Sequence, residues 1–245
     1  MKVVAVLPAR YGSRRFPGKP LAKINGREML AWTLEGTAKA TKVNEILVAT
    51  DHKEIASLVE KEGFRAVMTD SELPTGTDRV WAAVQEEDFD IVLNVQGDEP
   101  LIDGKVLDLL VDCFQDPNVN MATLGREILN ADDLESMNTA KIVLNHKSEA
   151  LYFSRFPIPQ SRERDAKPLC LKHIGIYAFR KDFLKEFCEA GPSQLEVQES
   201  LEQLRALYLG ATIKVVQVES DSWGVDSPKD ILKIENIMKE REENG

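Results

Sequence analysis

Strand-like and helix-like segments alternate through the first half of the chain, and this alternation restricts the possible folds more than any other feature. Residues 3–7 form the continuous apolar run VVAVL, as expected for a parallel strand covered on both faces. Similar strand-like runs return at residues 45–49, 65–68 and 91–95, and helical periodicity covers residues 29–40, 52–62, 78–87 and 106–114. This order predicts an α/β fold with a doubly wound, mostly parallel sheet.

The pattern changes after Asn118. Strand-like segments then dominate, at residues 121–128, 141–145, 150–154 and 174–179. We expect residues 121–180 to form an antiparallel strand extension. Helical periodicity returns at 182–190, 197–208 and 228–241, with a strand at 213–218. No internal repeat or low-complexity segment marks a boundary, so residues 1–245 are predicted to form a single domain.

The composition argues against several classes of protein. A formal net charge of −10 opposes the basic surface that a nucleic-acid-binding protein requires. No apolar run approaches the length of a membrane span or of a signal peptide's apolar region. Cys113, Cys170 and Cys188 form no CxxC pair, which predicts reduced thiols rather than a zinc site or a disulfide framework. We therefore expect a soluble cytoplasmic protein without nucleic-acid or membrane partners.

The loop after the first strand has the composition of a phosphate-binding site. It carries four cations among glycines and prolines, namely Arg10, Arg14, Arg15 and Lys19. Ligands of doubly wound sheets bind at the carboxyl ends of the strands, where glycines allow close approach and cations neutralise phosphate charge. The loop is not a Walker loop, because Pro20 follows Lys19 where serine or threonine is required. The alternative is a solvated basic loop with no ligand.

Two aspartates occupy positions that suit a magnesium site. Asp98 follows the apolar strand at 91–95, and Asp226 lies in a short turn before the last helix. Mg²⁺ is usually bound by one or two carboxylates together with phosphate oxygens. The alternative for either aspartate is a turn or helix-capping residue, and it is strongest for Asp226 because Ser227-Pro228 is itself a capping context.

Eight motifs, spread over nearly the whole chain, carry a family resemblance. They are ARYGSRRFPGKPL (9–21), VATDH (48–52), TGTDR (75–79), NVQGDEP (94–100), ALYFSR (150–155), KHIGIYAFR (172–180), LEQLR (201–205) and GVDSP (224–228). In this order they resemble the 3-deoxy-manno-octulosonate cytidylyltransferase family. The resemblance implies a fold like that of nucleotide-diphospho-sugar transferases and a homodimer with the 121–180 extension at its interface.

The resemblance also implies a reaction. It is the Mg²⁺-dependent transfer of CMP from CTP to 3-deoxy-D-manno-octulosonate (Kdo), which gives CMP-Kdo and pyrophosphate for lipopolysaccharide biosynthesis. The small-molecule partners would then be CTP and Kdo. The sequence leaves the acceptor open between Kdo and a close variant such as the 8-amino-3,8-dideoxy sugar, because residues 197–200 and Ser222-Trp223 depart from the family pattern.

The family's functional residues carry over onto matching positions of this sequence. Those implied as catalytic are Lys19, Asp98 and Asp226, with Asp98 and Asp226 as the Mg²⁺ ligands. Those implied for the nucleotide are Leu7, Ala9, Arg10, Ser13, Arg15, Lys19, Thr75, Gly76 and Arg79. Those implied for the sugar acid are Gln96, Arg155, His173, Tyr177, Glu202 and Gln203. From the residues alone, Thr75 reads as a helix cap, and Glu202 and Gln203 read as exposed helix residues.

Three rival functions stay open at this stage. One is another nucleotidyltransferase of the same fold, such as a CMP-sialate synthetase. A second is a sugar-nucleotide-dependent glycosyltransferase, although the Asp-x-Asp metal motif typical of that class is missing because Glu99 and Pro100 follow Asp98. The third is a nucleotide-binding module without catalysis, which would keep the basic loop without needing both Asp98 and Asp226.

Overall fold

The structure, a computed structural model, describes residues 1–13, 16–160, 162, 168–219 and 223–244. The described chain separates into two compact units, Met1–Asp108 with Ser222–Gly245, and Leu109–Asp221. None of the helices in these described ranges is both long and apolar enough to cross a membrane.

The elements follow one another along the chain largely as predicted, with small shifts of most of their ends. They are β1 (Val3–Ala9), β2 (Lys23–Ile24), β3 (Arg27–Glu28), α1 (Met29–Thr37), β4 (Glu45–Thr50), α2 (Lys53–Lys61), β5 (Arg65–Met68), α3 (Gly76–Val84), β6 (Ile91–Asn94), α4 (Gly104–Asp112), β7 (Met121–Glu127), α5 (Ala131–Glu135), β8 (Lys141–Leu144), β9 (Ala150–Ser154), β10 (Leu171–Arg180), α6 (Lys181–Ala190), α7 (Gln194–Glu199), α8 (Leu204–Tyr208), β11 (Ile213–Gln217) and α9 (Pro228–Asn244). Single 3-10 turns cover Lys19–Leu21 and Cys113–Gln115. The hairpin β2–β3 and the helix α5 were not predicted.

The first unit contains the parallel sheet. Its strands lie in the order β6, β1, β4, β5, and every neighbouring pair is parallel. Strand β1 is central, with Val4 paired to Val92 on one side and to Glu45 on the other. The residues from Val3 to Leu7 are at most 1% exposed, which explains why this strand is apolar without alternation. Because the strands are parallel, the residues that follow β1, β4 and β6 meet at one edge of the sheet.

The C-terminal helix α9 belongs to this first unit, although it lies far away in sequence. Ile234 and Met238 pack with Val225 against Ile24 and Met29, and all five side chains are buried. The segment that precedes α9 is thereby brought beside the start of α1. Helix α9, which begins two residues after the candidate metal ligand Asp226, is therefore part of the unit that also contains the basic loop.

The second unit contains the antiparallel extension. Strand β10 pairs antiparallel with β7 and β8, β8 pairs antiparallel with β9, and β11 joins β7 in parallel. The β7–β10 register shifts between Ile174 and Tyr177. The two units together confirm the predicted α/β class, with a parallel core and antiparallel strands in the second half.

The helix predicted over residues 197–208 is wrong. Two short helices, α7 and α8, replace it, and Ser200 between them has the left-handed φ of 52°. Helix α7 begins earlier than predicted because Ser193 and Glu196 form a reciprocal capping box. The break turns Gln203 inward to 3% exposure, so its interpretation as an exposed helix residue is also wrong.

We predict that Gly36 in α1 cannot be replaced by alanine without loss of stability. A Cβ there would collide with the main-chain carbonyl oxygen of Ile102, which cannot rotate away. Alanine normally stabilises a helix interior by up to about 1 kcal/mol over glycine. We expect the collision to reverse this sign, so that Gly36→Ala lowers the free energy of unfolding by about 2 kcal/mol in urea denaturation.

Gly12→Ala is the control, since a Cβ at Gly12 would meet no atom within 4 Å among the described residues. Its free energy of unfolding should stay within about 0.5 kcal/mol of the parent protein. Equal stability of the two variants would contradict the close contact between α1 and Ile102.

Candidate active site

A cavity of about 520 Å³ opens at the carboxyl edge of the parallel sheet in the first unit. Its lining comes from the ends of β1 and β6, the start of α3 and the segment before α9. The lining residues are Pro8, Ala9, Arg10, Ser13, Lys19, Pro20, Met29, Leu73, Pro74, Thr75, Gly76, Arg79, Gln96, Gly97, Asp98 and Asp226. This is the position at which ligands of doubly wound sheets bind.

Most of the site residues predicted in the first unit line this cavity. They are Ala9, Arg10, Ser13, Lys19, Thr75, Gly76, Arg79, Gln96, Asp98 and Asp226. Leu7 does not line it, because its side chain is fully buried within β1. Arg14 and Arg15 lie outside the described residues. The apolar lining from Pro8, Met29 and Leu73 was not predicted, since nothing in the sequence distinguishes these residues from ordinary core.

The basic loop is closed on itself by Tyr11. The Tyr11 carbonyl accepts hydrogen bonds from the amides of Ser13 and Gly18, each at 2.9 Å. Gly18 has a φ of 69°, and a Cβ there would lie 3.4 Å from the Tyr11 ring, so glycine suits both the turn and the contact. Gly18 thereby places Lys19 at the start of the 3-10 turn.

Tyr11 also fixes this loop to the end of β4. Its amide donates to Asp51 Oδ1 at 3.0 Å, and its ring stacks on His52 with ring centroids 4.0 Å apart. The sequence analysis missed both roles, because Tyr11 and His52 are 41 positions apart and only the parallel pairing of β1 with β4 brings them together. The start of the loop, next to Arg10, is thereby held at the sheet edge.

Lys19 connects three parts of the first unit that are distant in sequence. Its Nζ donates to the carboxylate of Asp98 and, at 2.9 Å, to the carbonyl oxygen of Val225. The Val225 amide in turn donates to the Asp98 carbonyl at 3.0 Å. The Lys19 and Asp98 side chains are 15% and 26% exposed, so this ion pair is largely screened from solvent. The loop, the end of β6 and the segment before α9 therefore meet at one point.

The two carboxylates of the cavity fit a magnesium ion. Asp98 and Asp226 line the same cavity. Within the described ranges, no group of three or more histidine, cysteine, aspartate or glutamate side chains could hold a metal ion by itself. A donor set of two carboxylates suits a hard cation that completes its coordination with phosphate oxygens and water, as Mg²⁺ does.

The start of α3 supplies a second wall of the cavity. Thr75 caps the helix as predicted, because its Oγ1 accepts the Asp78 amide hydrogen at 3.1 Å. Arg79 is 2% exposed, and its Nη1 donates to Thr69 Oγ1 at 2.6 Å. Its Nη2 lies 3.5 Å from Asp51 Oδ2 and makes no hydrogen bond to any described residue. A buried guanidinium with a spare N–H group at a cavity wall is suited to donate a hydrogen bond to a ligand's carbonyl oxygen.

Three of the predicted sugar residues form one hydrogen-bonded chain in the second unit. The Tyr177 hydroxyl donates to Gln203 Oε1 at 3.3 Å, and Gln203 Nε2 lies 3.4 Å from His173 Nδ1. His173 Nε2 lies 3.0 Å from Thr123 Oγ1, which in turn donates to the Ile176 carbonyl at 2.9 Å. The amide donor at Nδ1 assigns the proton of the neutral ring to Nε2, and every link then has one donor and one acceptor.

Burial keeps this chain uncharged. It lowers the pKa of His173 to about 3, and burial together with the negative charge of Glu202 raises the pKa of Tyr177. The His173 ring is also packed between Phe153 and Tyr177, with ring centroids at 5.2 and 5.5 Å. The group therefore offers neutral hydrogen-bonding atoms at neutral pH, which suits hydroxyl groups better than a carboxylate.

Arg155 has other partners within the second unit. Its Nε donates to the Glu199 carbonyl at 2.8 Å, Nη1 to the Met137 carbonyl at 2.9 Å and Nη2 to the Ser200 carbonyl at 3.0 Å. The side chain thus ties the end of β9 to the end of α7. A guanidinium has five N–H groups, so these three bonds leave two for a bound anion.

Comparison with known proteins gives the class and then the family. The family model described as cytidylyltransferase matches residues 4–214, so the chain is a nucleotidyltransferase. It is 52% identical over 243 residues to the 3-deoxy-manno-octulosonate cytidylyltransferase of Bdellovibrio bacteriovorus, covering 97% of this chain and 98% of that protein. It is 44% identical over 250 residues to the protein of the same name from Geotalea uraniireducens, covering 98% and 100%. The chain belongs to the 3-deoxy-manno-octulosonate cytidylyltransferase family, as its motifs predicted.

Solved structures agree with this assignment. A structure of CMP:2-keto-3-deoxy-manno-octonic acid synthetase complexed with CTP matches with a TM-score of 0.92 at 39% identity, covering 98% of this chain and 100% of that one. A 4-diphosphocytidyl-2C-methyl-D-erythritol synthase from Anaerococcus prevotii matches with a TM-score of 0.68 at 15% identity, covering 97% and 96%. The second likeness shows a shared fold alone.

The lowered pKa of His173 predicts a specific loss of stability in acid. The unfolded chain takes up the imidazole proton near the ordinary pKa of 6.5, whereas the folded chain does so only near 3. Between these values the unfolded state binds more protons, so the free energy of unfolding falls by about 1.4 kcal/mol per pH unit as pH drops. From pH 7 to pH 5, His173 should thus contribute a loss of about 2 kcal/mol.

The His173→Gln variant cannot take up this proton. Between pH 7 and pH 5 its free energy of unfolding should therefore fall by about 2 kcal/mol less than that of the parent protein. Urea unfolding at the two pH values measures the difference. The exposed His146→Gln is the matched control and should keep the parent's pH dependence. A His173→Gln protein with the parent's full pH dependence would contradict a neutral, buried imidazole.

Proposed function

We propose that this chain transfers CMP from CTP to Kdo in a Mg²⁺-dependent reaction that releases pyrophosphate and supplies CMP-Kdo for lipopolysaccharide biosynthesis. The observation that carries this proposal is the meeting of Lys19 with Asp98 and Val225 in a cavity that Asp226 also lines. The 39% identical neighbour was solved with CTP, and the eight sequence motifs match its family over nearly the whole chain. The likeness makes CTP the expected nucleotide.

The nucleotide residues divide between the two walls of the cavity. Arg10, Ser13 and Lys19 would bind the phosphates from the basic loop, and Arg15 completes this predicted set. Thr75, Gly76 and Arg79 would contact the cytosine, with the spare Nη2 donor of Arg79 as the strongest support. Leu7 and Ala9 would contribute through the main chain of β1, where the strand end approaches the ligand.

Asp98 and Asp226 would hold the Mg²⁺ ion. When bound, the ion would neutralise the phosphate oxygens and stabilise the charge that develops during displacement at the α-phosphorus. The part of the chain itself is to position the ion's ligands and the nucleotide. Lys19 sits beside Asp98 and supplies a fixed positive charge at the same place.

The reaction exchanges one bond to phosphorus for another. The anomeric hydroxyl oxygen of the sugar forms a bond to the α-phosphorus and loses its proton, while the bond from that phosphorus to the bridging α–β oxygen breaks. Pyrophosphate leaves with the additional negative charge, which Arg10 and Lys19 would stabilise. The proton would pass to solvent water, because the two carboxylates that line the cavity, Asp98 and Asp226, are those proposed to hold the metal.

We propose, from the family resemblance, that Gln96, Arg155, His173, Tyr177, Glu202 and Gln203 bind the sugar acid. The neutral chain of His173, Tyr177 and Gln203 suits the sugar hydroxyl groups, and the two remaining N–H groups of Arg155 suit its carboxylate. A close variant of Kdo, such as the 8-amino sugar, would use the same contacts, so a panel of both acceptors belongs in every assay.

We further propose a homodimer that uses the 121–180 extension and works in the cytoplasm. Several large apolar side chains in this extension are exposed, with Leu151 at 58%, Phe156 at 61% and Leu169 at 79%. Exposed apolar side chains of this size are a feature of protein–protein contact surfaces. None of the three cysteines forms a disulfide within the described part of the chain, which is compatible with a reducing compartment.

Asp98→Asn should leave the fold intact and lower turnover by about 10²- to 10³-fold, because it removes a charge from the proposed metal site. Pyrophosphate release from CTP and Kdo at saturating Mg²⁺ measures the effect, and the circular dichroism spectrum checks the fold. Asp88→Asn is the control, since Asp88 is fully exposed and outside the cavity. Near-normal turnover by folded Asp98→Asn protein would contradict the assignment of Asp98 as a Mg²⁺ ligand.

Arg155→Ala should raise the KM for Kdo by at least about tenfold and leave the KM for CTP nearly unchanged, because a bidentate contact to the sugar carboxylate is lost. Steady-state kinetics with each substrate varied in turn measures both constants. The melting temperature and the sedimentation coefficient report any structural effect.

Arg180→Ala is the matched control for Arg155→Ala. Arg180 also donates to three main-chain carbonyls of the second unit, those of Val119, Phe114 and Asp116. The two variants should therefore lose similar stability, and only Arg155→Ala should change the KM for Kdo. An unchanged KM for Kdo together with a lost dimer would show that Arg155 is a structural residue.

A further inference from the structure

The five residues from Trp223 to Ser227, here called the Asp226 segment, belong to no helix or strand. Their centre is held by Val225, which is fully buried, donates from its amide to the Asp98 carbonyl and accepts from Lys19. Two main-chain bonds at one residue do not fix the direction of the neighbouring Asp226. The segment needs further contacts at its ends if the Asp226 carboxylate is to have one position in the cavity.

Glu99 supplies the contact at the N-terminal end. Its Oε2 accepts the Trp223 amide hydrogen at 3.0 Å, and Glu99 is only 8% exposed. A Cβ on Gly224 would lie 3.1 Å from Glu99 Oε1, so the chain passes close against this carboxylate. Glu99 does not line the cavity, although it directly follows Asp98.

Asp230 supplies the contact at the C-terminal end. Its Oδ2 lies at hydrogen-bonding distance from three donors, the Asp226 amide at 3.0 Å, the Ser227 amide at 2.7 Å and Ser227 Oγ at 3.0 Å. Asp230 lies in the first turn of α9, so the helix itself carries this carboxylate. The sequence analysis expected Ser227 to cap the helix, whereas Asp230 makes the bonds to the main chain.

We propose that Glu99 and Asp230 are positioning residues, which hold the Asp226 segment from its two ends and so fix the Asp226 carboxylate in the cavity. This inference rests on the proposed function in one respect, namely that Asp226 binds Mg²⁺. Hydrogen bonds from main-chain amides to a carboxylate are among the strong ones.

The same geometry separates this role from that of a metal ligand. If Glu99 acts by accepting the Trp223 hydrogen bond, the amide oxygen of glutamine can replace its Oε2. If it acts through its charge on the metal, glutamine cannot replace it. Asn at position 230 makes the same distinction, because its side-chain oxygen can still accept from the Ser227 amide. Glu99→Gln and Asp230→Asn are therefore the conservative variants, and Glu99→Ala and Asp230→Ala are the disruptive ones.

The first measurement is amide hydrogen exchange of residues 223–227 in the protein without added metal or nucleotide. We expect Glu99→Ala and Asp230→Ala to exchange at least about tenfold faster in this segment, while α9 beyond its first turn keeps its protection. Glu99→Gln and Asp230→Asn should stay within about threefold of the parent protein. Glu86→Ala and Glu243→Ala are controls, as exposed acids outside the segment.

The second measurement is the binding of Mn²⁺, a probe for Mg²⁺, in the presence of CTP, followed by electron paramagnetic resonance. The two alanine variants should bind Mn²⁺ at least about tenfold more weakly, and the conservative variants should bind as the parent does. In turnover assays, the alanine variants should need a higher Mg²⁺ concentration for half-maximal activity than the conservative variants and the parent protein. Their kcat at saturating Mg²⁺ should change less than this half-saturating Mg²⁺ concentration.

Two results would overturn the proposal. Unchanged exchange in residues 223–227 of Glu99→Ala and Asp230→Ala would show that neither carboxylate holds the segment. A Glu99→Gln protein as impaired as Glu99→Ala would show that the charge acts directly. If either alanine variant does not fold, Ser227→Ala tests the C-terminal end and Glu99→Gln the N-terminal end. Failure of the proposed function is seen separately, as a parent protein without turnover, because hydrogen exchange requires no substrate.

Discussion

The contact of Lys19 Nζ with the Asp98 carboxylate and the Val225 carbonyl is the interaction on which the first unit's site depends. A largely screened ammonium group must be paired and hydrogen-bonded, because an unpaired charge in such a place is costly. Lys19 comes from the loop after β1, Asp98 from the loop after β6 and Val225 from the approach to α9. Their pairing gives one reason why three segments so distant in sequence meet at one place.

The position of this site follows from features that the sequence displays. Parallel strands buried on both faces are continuous apolar runs, so β1, β4 and β6 could be found without a structure. Their parallel order brings the residues after each strand to one edge, and Arg10 and Asp98 follow directly. The candidate metal ligand Asp98 is therefore predictable in position, although its contact with Lys19 is not.

The parts that escaped prediction depend on contacts between distant residues or on a single backbone angle. The stacking of Tyr11 on His52 exists only because β1 pairs with β4. The break at Ser200 interrupts a helical pattern that continues on both sides of it, and a serine gives no sign that it will adopt a positive φ. One signal was available, since Ser193 and Glu196 have the spacing of a capping box and mark the true start of α7.

The charge of the cavity differs in sign from that of the chain. The chain has a net charge of −10, yet the cavity is lined by three cations, Arg10, Lys19 and Arg79, against two carboxylates, Asp98 and Asp226. A triphosphate would be repelled by the average surface and attracted to this cavity, where Lys19 is held by Asp98 and Val225, and Arg79 by Thr69 and Asp51. Adding a divalent cation at the two carboxylates would make the same cavity strongly positive. The acidic residues thus strengthen anion binding once a metal ion accompanies the nucleotide.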